Sequence, residues 1–225
     1  MKNNKRRAFL KWAGGKYSLV EDIRQQLPEG RKLIEPFVGA GSVFLNTDFE
    51  QYLLCDINPD LINLYQLVKA KPDAFLSEAE RLFCAYSNQH DQYYHLRHEF
   101  NNSTDTFRRS VLFLYLNRHG YNGLCRYNRS GGFNVPFGRY KSPYFPAEEI
   151  QYFSEQAKRA TFACIDFKKS FARARKGAVI YCDPPYAPIS ATANFTGYAA
   201  LGFSLEQQQQ LANLASQTAF KRGIP

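Results

Sequence analysis

The residues best equipped for chemistry stand at 183–186, Asp-Pro-Pro-Tyr, closing the apolar run Gly177-Ala178-Val179-Ile180-Tyr181-Cys182. A β-branched run ending in a carboxylate and two prolines predicts a strand that stops at a rigid, exposed corner. Each proline fixes its own φ and drives the residue before it toward extended geometry. Pro184 offers a carbonyl acceptor and no donor, beside the Asp183 carboxylate, and Tyr186 adds an aromatic face. Two acceptors and a stacking plane match a planar ring carrying an amino group, the outline of an aminated nucleobase. Standing alone, the tetrad also fits an ordinary strand-to-loop turn.

A second constellation lies near the N-terminus. Lys32-Leu33-Ile34-Glu35-Pro36-Phe37 reads as a strand ending at the Gly39-Ala40-Gly41 turn, with a helix expected from about Ser42. Glycines at such a turn allow tight backbone geometry and close approach of a ligand. Gln51 to Cys55 forms a second strand ending at Asp56, fifteen positions beyond Gly41, whose carboxylate can receive ribose hydroxyls. A dinucleotide site would place a third glycine at position 44, where Phe44 stands, so a nucleoside cofactor without phosphates fits better.

The remaining elements position these corners. Leu61, Leu64, Tyr65 and Val68 recur at helical spacing, and further helical patterns cover about residues 73–86, 91–100 and 106–118. Residues 119–146 are turn-rich. Strands are expected at 161–165 and 178–182, and Ser204-Leu205-Glu206-Gln207 matches a capping box opening a helix to about Thr218. Strands alternating with helices predict an α/β fold with a doubly wound, mostly parallel sheet. The span between the second and third strands far exceeds a normal crossover. Residues 57–145 therefore read as an inserted helical unit, with 1–56 and 146–225 forming the sheet domain.

Charge and cysteines narrow the partners. Lys and Arg number 29 against 20 Asp and Glu, a net charge of +9 that suits a polyanion such as nucleic acid. No apolar run is long enough to span a bilayer and no signal-peptide core follows the basic N-terminus, so a membrane partner is not expected. Five cysteines without paired zinc spacing fit a reduced cytoplasm. His90, His95, His98 and His119 form no recognisable ligand set, and no metal is expected. Residues 107–141 carry seven Arg or Lys, eight aromatics and no acid, a composition that favours a DNA-contacting loop over a merely solvated face.

Four motifs in order resemble the DNA adenine-N6 methyltransferases, specifically the Dam group of the α class, over essentially the whole chain. They are Phe9-Leu10-Lys11-Trp12-Ala13-Gly14-Gly15-Lys16-Tyr17, the glycine motif Glu35-Pro36-Phe37-Val38-Gly39-Ala40-Gly41-Ser42, the stretch from Asn117 to Asn128, and Asp183-Pro184-Pro185-Tyr186. The resemblance implies a Rossmann-like methyltransferase sheet with an inserted target-recognition unit, working in the cytoplasm on the nucleoid. It implies S-adenosylmethionine bound by Trp12, Lys16, Asp56 and Asp183, with Glu35 and Phe37 near it and Gly39 and Gly41 shaping the turn. It implies double-stranded DNA containing GATC as substrate. Lys11, Leu124, Arg126, Pro136, Arg139 and Tyr140 would read bases or their flanks, Tyr121 would wedge into the stack, and Asn122 would sit beside the opened pair. No oligomeric partner is implied.

The residue types fit that chemistry. The adenine amino group is a poor nucleophile because its lone pair is delocalised. Hydrogen bonds from its N–H groups to the Asp183 carboxylate and the Pro184 carbonyl would localise that pair for direct in-line attack on the methyl. Asp at 183 rather than Ser or Asn argues against cytosine N4, RNA or glutamine methylation. The family pattern continues into three further strands, so residues 178–182 are expected to form an exposed apolar edge in a marginal product. On that ground a catalytically impaired DNA-binding remnant is the alternative reading.

Overall fold

Leu33 and Ile34 are wholly buried on opposite sides of a strand, because sheet faces alternate along the chain and both faces here are covered. The computed structural model describes residues 5–185 and 203–222, the last three of these as backbone only. Four strands, β1 (Lys32–Glu35), β2 (Gln51–Asp56), β3 (Ala160–Cys164) and β4 (Ala178–Ile180), pair in parallel in the order β3-β2-β1-β4. The fold is thus mixed α/β with a parallel, Rossmann-like sheet.

Leu33, Tyr52 and Leu54 face one core, shared with helices α2 (Pro59–Ala70), α5 (Thr106–His119) and α6 (Ala147–Ala157). Ile34, Leu53 and Cys55 face the other side with Ala174. Beyond them α7 (Phe167–Ala172) and α8 (Leu205–Arg222) pack through Phe167, Phe171, Phe203 and Leu211. Helices α3 (Pro72–Glu80) and α4 (His90–Asn102) complete the helical layer, and α1 (Val20–Gln26) precedes β1.

Helix α5 is the axis of that layer. Ser110 to His119 are all buried, so it presents no solvent stripe. Asp105 caps it by accepting from the Phe107 and Arg108 amides at 2.8 and 3.3 Å. Helix α2 starts directly behind β2, with Asn58 as its cap and Pro59 in its first turn.

Several expectations need correction. No α-helix follows the glycine turn: Phe44–Asn46 makes one 3-10 turn. Asn46 Nδ2 and Thr47 Oγ1 donate to the Ser42 and Val43 carbonyls, and Val38 and residues 40–45 are buried, so the segment fills the core instead of lying on it. The helix expected over 73–86 ends at Glu80, and β4 stops at Ile180 although Tyr181 still donates to Ile34 O at 3.0 Å. Helices α1, α6 and α7 were not anticipated. The capping box holds: Ser204 N donates to Gln207 Oε1 at 2.9 Å, and Gln207 N to Ser204 Oγ at 3.2 Å.

Candidate functional site

A cavity of about 350 Å³ opens beside the carboxyl ends of the strands. Parallel sheets gather ligands there, where the connections from a central strand diverge to either side. β1 is that strand, with β2 and β4 as neighbours. Each strand end supplies an acid: Glu35 closes β1, Asp56 closes β2, Asp166 follows β3 and Asp183 follows β4. All four line the cavity.

Trp12, Lys16, Phe37, Gly39 and Pro184 line it as well, whereas Gly41 lies behind the wall and donates to Val38 O at 2.8 Å. Gly39 has φ 46°, a left-handed geometry costly for other residues. A Cβ there would also stand 2.9 Å from Trp12 Nε1, so the turn and the indole are fitted to each other. The Tyr65 hydroxyl donates to Gly39 O and holds the turn from α2. Asp56 accepts from the Gly39 amide at 3.3 Å and the Asn58 amide at 3.0 Å, although burial raises its pKa. Lys16 Nζ sits 2.6 Å from Asp183 Oδ2.

Glu35 is the buried acid of the set, 2% exposed. Burial first, and the negative Asp183 second, push its pKa up to about 8, against a backbone hydrogen bond from Phe44. Opposite, Phe37 stacks on Phe167 at 5.8 Å and meets Phe203 edge-on at 5.6 Å. Tyr186 lies outside the described residues.

Asp166, Phe167, Phe203 and Asn58 line the cavity without having been anticipated. Asp166 was findable, since it follows a strand in the same manner as Asp56 and Asp183. Phe203 had no local signal, because α8 brings it in from distant sequence.

The turn-rich segment after α5 folds back on itself. Tyr121 N donates to Pro136 O at 2.9 Å and Asn134 N to Arg126 O at 3.0 Å, with single antiparallel bridges at Gly120–Phe137 and Tyr127–Phe133. Tyr121 is half exposed, while Asn122, Arg126, Pro136 and Arg139 are exposed and Leu124 half-buried. Asn122 N donates to the Tyr140 hydroxyl at 2.9 Å, and Lys11 Nζ lies 3.9 Å from the centre of that ring. Burial, with Arg118 nearby, lowers the Lys11 pKa. Arg126 Nε donates to Asn134 Oδ1 at 2.8 Å, which fixes its guanidinium. The fold therefore brings Lys11, Tyr121, Asn122, Pro136 and Tyr140 into one neighbourhood.

The basic run divides into two uses. Arg108 makes a two-pronged bond to Glu99, Arg109 pairs with Asp60, and Arg118 donates to Tyr144 O. Arg126, Arg129, Arg139 and Lys141 remain exposed. Asn117 ties the segment to the cavity's N-terminal wall: it accepts from Lys11 N at 2.8 Å and donates to Lys11 O at 2.7 Å and Gly123 O at 3.0 Å.

Among the described residues no group of three or more His, Cys, Asp or Glu could hold a metal ion, and no helix is long and apolar enough to cross a membrane.

A parallel sheet with acids at its strand ends, a glycine turn closed by an indole and a basic loop beside it define an α/β protein with a ligand-sized cavity at its strand ends. The chain matches the D12 class N6 adenine-specific DNA methyltransferases over residues 12–225, and it belongs to that family. It is 63% identical over 220 residues to a DNA adenine methylase of Vibrio cholerae, covering 98% of this chain and 79% of the relative. To those of Serratia marcescens and Escherichia coli it is 61% and 60% identical over 221 residues, covering 98% of this chain and 82% and 79% of theirs. The protein is an adenine-specific DNA methyltransferase, with DNA as substrate and a methyl donor as co-substrate.

Proposed function

We propose that this enzyme moves a methyl group from S-adenosylmethionine to the N6 of adenine within GATC in duplex DNA, taking the base out of the helix to do so. The observation that carries this reading is that Asp183, Asp56 and Gly39 line one cavity. Its 350 Å³ falls within the range of small-molecule sites. The residues fit a nucleoside joined to an amino acid. Asp56 faces the cavity for ribose hydroxyls, Asp166 and the Phe37–Phe167 pair offer an acceptor and an aromatic wall, and Trp12 closes the glycine turn.

S-adenosylmethionine, when bound, supplies an electrophilic methyl on a cationic sulfur. The chain's own groups do the rest. Asp183 and the Pro184 carbonyl accept the two N–H bonds of the target amino group and turn its lone pair outward. Held in a part-buried corner, these acceptors stabilise the charge developing on nitrogen without reorganising. Lys16 orients Asp183 through the 2.6 Å contact.

Extruding the base costs a few kcal/mol, of which stacking on Tyr186 returns about 1–3 kcal/mol. Tyr121 fills the vacated stack, with Asn122 beside the opened pair. Lys11, Leu124, Arg126, Pro136, Arg139 and Tyr140 read the site or its flanks, and a guanine-reading arginine supplies about 1–3 kcal/mol of discrimination. In this reading residues 57–145 serve as the DNA-reading unit, and 1–56 with 146–225 hold the cofactor. The place of work is the nucleoid in the cytoplasm.

Labelled methyl transfer tests the specificity. Purified protein with S-adenosylmethionine is expected to label a GATC duplex at least a hundredfold faster than one of equal composition with the site scrambled. Equal labelling of both duplexes would reject GATC as the target.

A further inference from the structure

Glu35 is the one acid of the cavity that is almost wholly enclosed, and its Oε1 has no hydrogen-bond partner. A buried carboxylate with a free lone pair is costly; a buried neutral carboxyl group is far less so. Burial favours the neutral form, with Asp183 adding to it, against the backbone hydrogen bond from Phe44 that favours the ionised one. Asp183 faces it from the corner after β4, Cys55 stands on β2 and Tyr65 on α2, all of them acids or neutral. The two lysines of the lining are engaged elsewhere: Lys16 on Asp183, and Lys168 over the Phe167 ring at 5.9 Å. The cavity wall therefore contains an acid in wait for a positive charge.

We infer that Glu35 is a proton-coupled counterion, neutral in the ligand-free cavity, that gives up its proton when a cationic nucleoside binds. The inference rests on S-adenosylmethionine being the cofactor and goes beyond it, because it fixes how the site accommodates that charge. An opposite charge within a few ångström lowers a carboxyl pKa by about 1–3 units, which at its upper end carries Glu35 from largely protonated to largely ionised near neutrality. In the step the Glu35 O–H bond breaks, the proton leaves to buffer, and the carboxylate pairs with the bound cation. Nothing is oxidised or reduced. The coupling makes cofactor affinity rise with pH below about 8, and it favours charged ligands over neutral analogues.

Calorimetry of the intact chain without DNA tests this, since its readout is binding and not turnover. S-adenosylmethionine is titrated at pH 7 in phosphate and in Tris, whose ionisation heats differ widely. The expected result is release of roughly 0.4 to 0.9 proton per cofactor bound at pH 7, for a fall of about 1 to 3 units from a pKa of about 8, and an affinity rising about threefold to eightfold per pH unit near pH 7. Glu35→Gln is expected to bind with almost no proton release and with affinity flat in pH. A second measurement on the wild-type chain does not depend on that variant. Infrared spectra with labelled glutamate should show a protonated carboxyl band that disappears on adding cofactor. Binding with equal heats in both buffers, or with the band unchanged, would overturn the inference and leave the cofactor reading standing. No binding at all would overturn both.

Discussion

Glu35 and His119 are buried titratable groups, and the fold prefers the neutral form of each. His119 is wholly enclosed, stacked on Tyr115 at 4.0 Å, and its Nδ1 lies 3.0 Å from Tyr115 O. Burial lowers its pKa to about 4. The two pull stability in opposite directions as pH changes. Glu35, raised to about 8, stabilises the fold fully below the ordinary carboxyl range and loses that contribution as pH climbs through 8. His119, depressed, contributes above its unfolded value of 6.5 and loses that contribution as pH falls toward 4. Unfolding of the ligand-free protein in urea should therefore show stability rising by about 1 kcal/mol from pH 8 to 6.5, the gain through Glu35 less a small opposing share from His119. Below 6.5 the rise should flatten as His119 opposes it more strongly. A curve flat from pH 8 to 6.5 would mean that Glu35 is already ionised in the folded chain.

At the scale of elements, the join between the sheet and the loop after α5 depends on one largely buried ion pair. Arg109 on α5 meets Asp60 in the first turn of α2, and Tyr127 in the loop donates to Asp60 Oδ2 at 2.6 Å. One step away, Asn58 Nδ2 lies 3.4 Å from Cys125 Sγ. Two loop residues are thus tied to the start of α2, directly behind Asp56. Removing one partner of a buried pair strands the other charge. Asp60→Ala is expected to lower the unfolding free energy by about 3 kcal/mol, read from urea midpoints at constant slope. A loss under about 1 kcal/mol would show that the pair is solvent-relaxed and does not hold the join.

The same scale shows what the sequence made legible. All four strands were readable, because apolar runs ended at Gly, Pro or Asp. The helix expected after Ser42 failed because position 44 belongs to the core: Phe44 packs edge-on to Tyr52 at 4.9 Å, and side-chain bonds from Asn46 and Thr47 end the turn. Helix α6 escaped notice since only Ile150, Phe153 and Ala157 mark its buried face among polar residues. Yet Phe153 sits at the centre of the core, within ring contact of Phe9, Phe44, Tyr65 and Phe162. The acids of the site are readable as the acids that close or follow the strands, Asp166 by the same rule as Asp56 and Asp183. That Arg108 and Arg109 bind inward was not, because their partners Glu99 and Asp60 are fixed only by helix packing.

Across the whole molecule, chemistry and DNA contact are assigned to different surfaces. The acids at the strand ends line the cavity, and Arg126, Arg129, Arg139 and Lys141 are exposed on the loop; in the proposed reading the first group holds the cofactor and activates the amino group while the second meets the duplex. Electrostatic contacts of this kind carry most of the affinity and are independent of the reacting carboxylate. Loss of Asp183 should therefore abolish transfer without abolishing binding. The direct test follows both quantities in one sample: methyl transfer to a GATC duplex and binding of that duplex, for the wild-type chain and Asp183→Ala. Transfer is expected to fall by at least a thousandfold in the variant, with the dissociation constant for DNA changed by less than about fivefold, under 1 kcal/mol. Transfer by Asp183→Ala within tenfold of wild type would contradict the account.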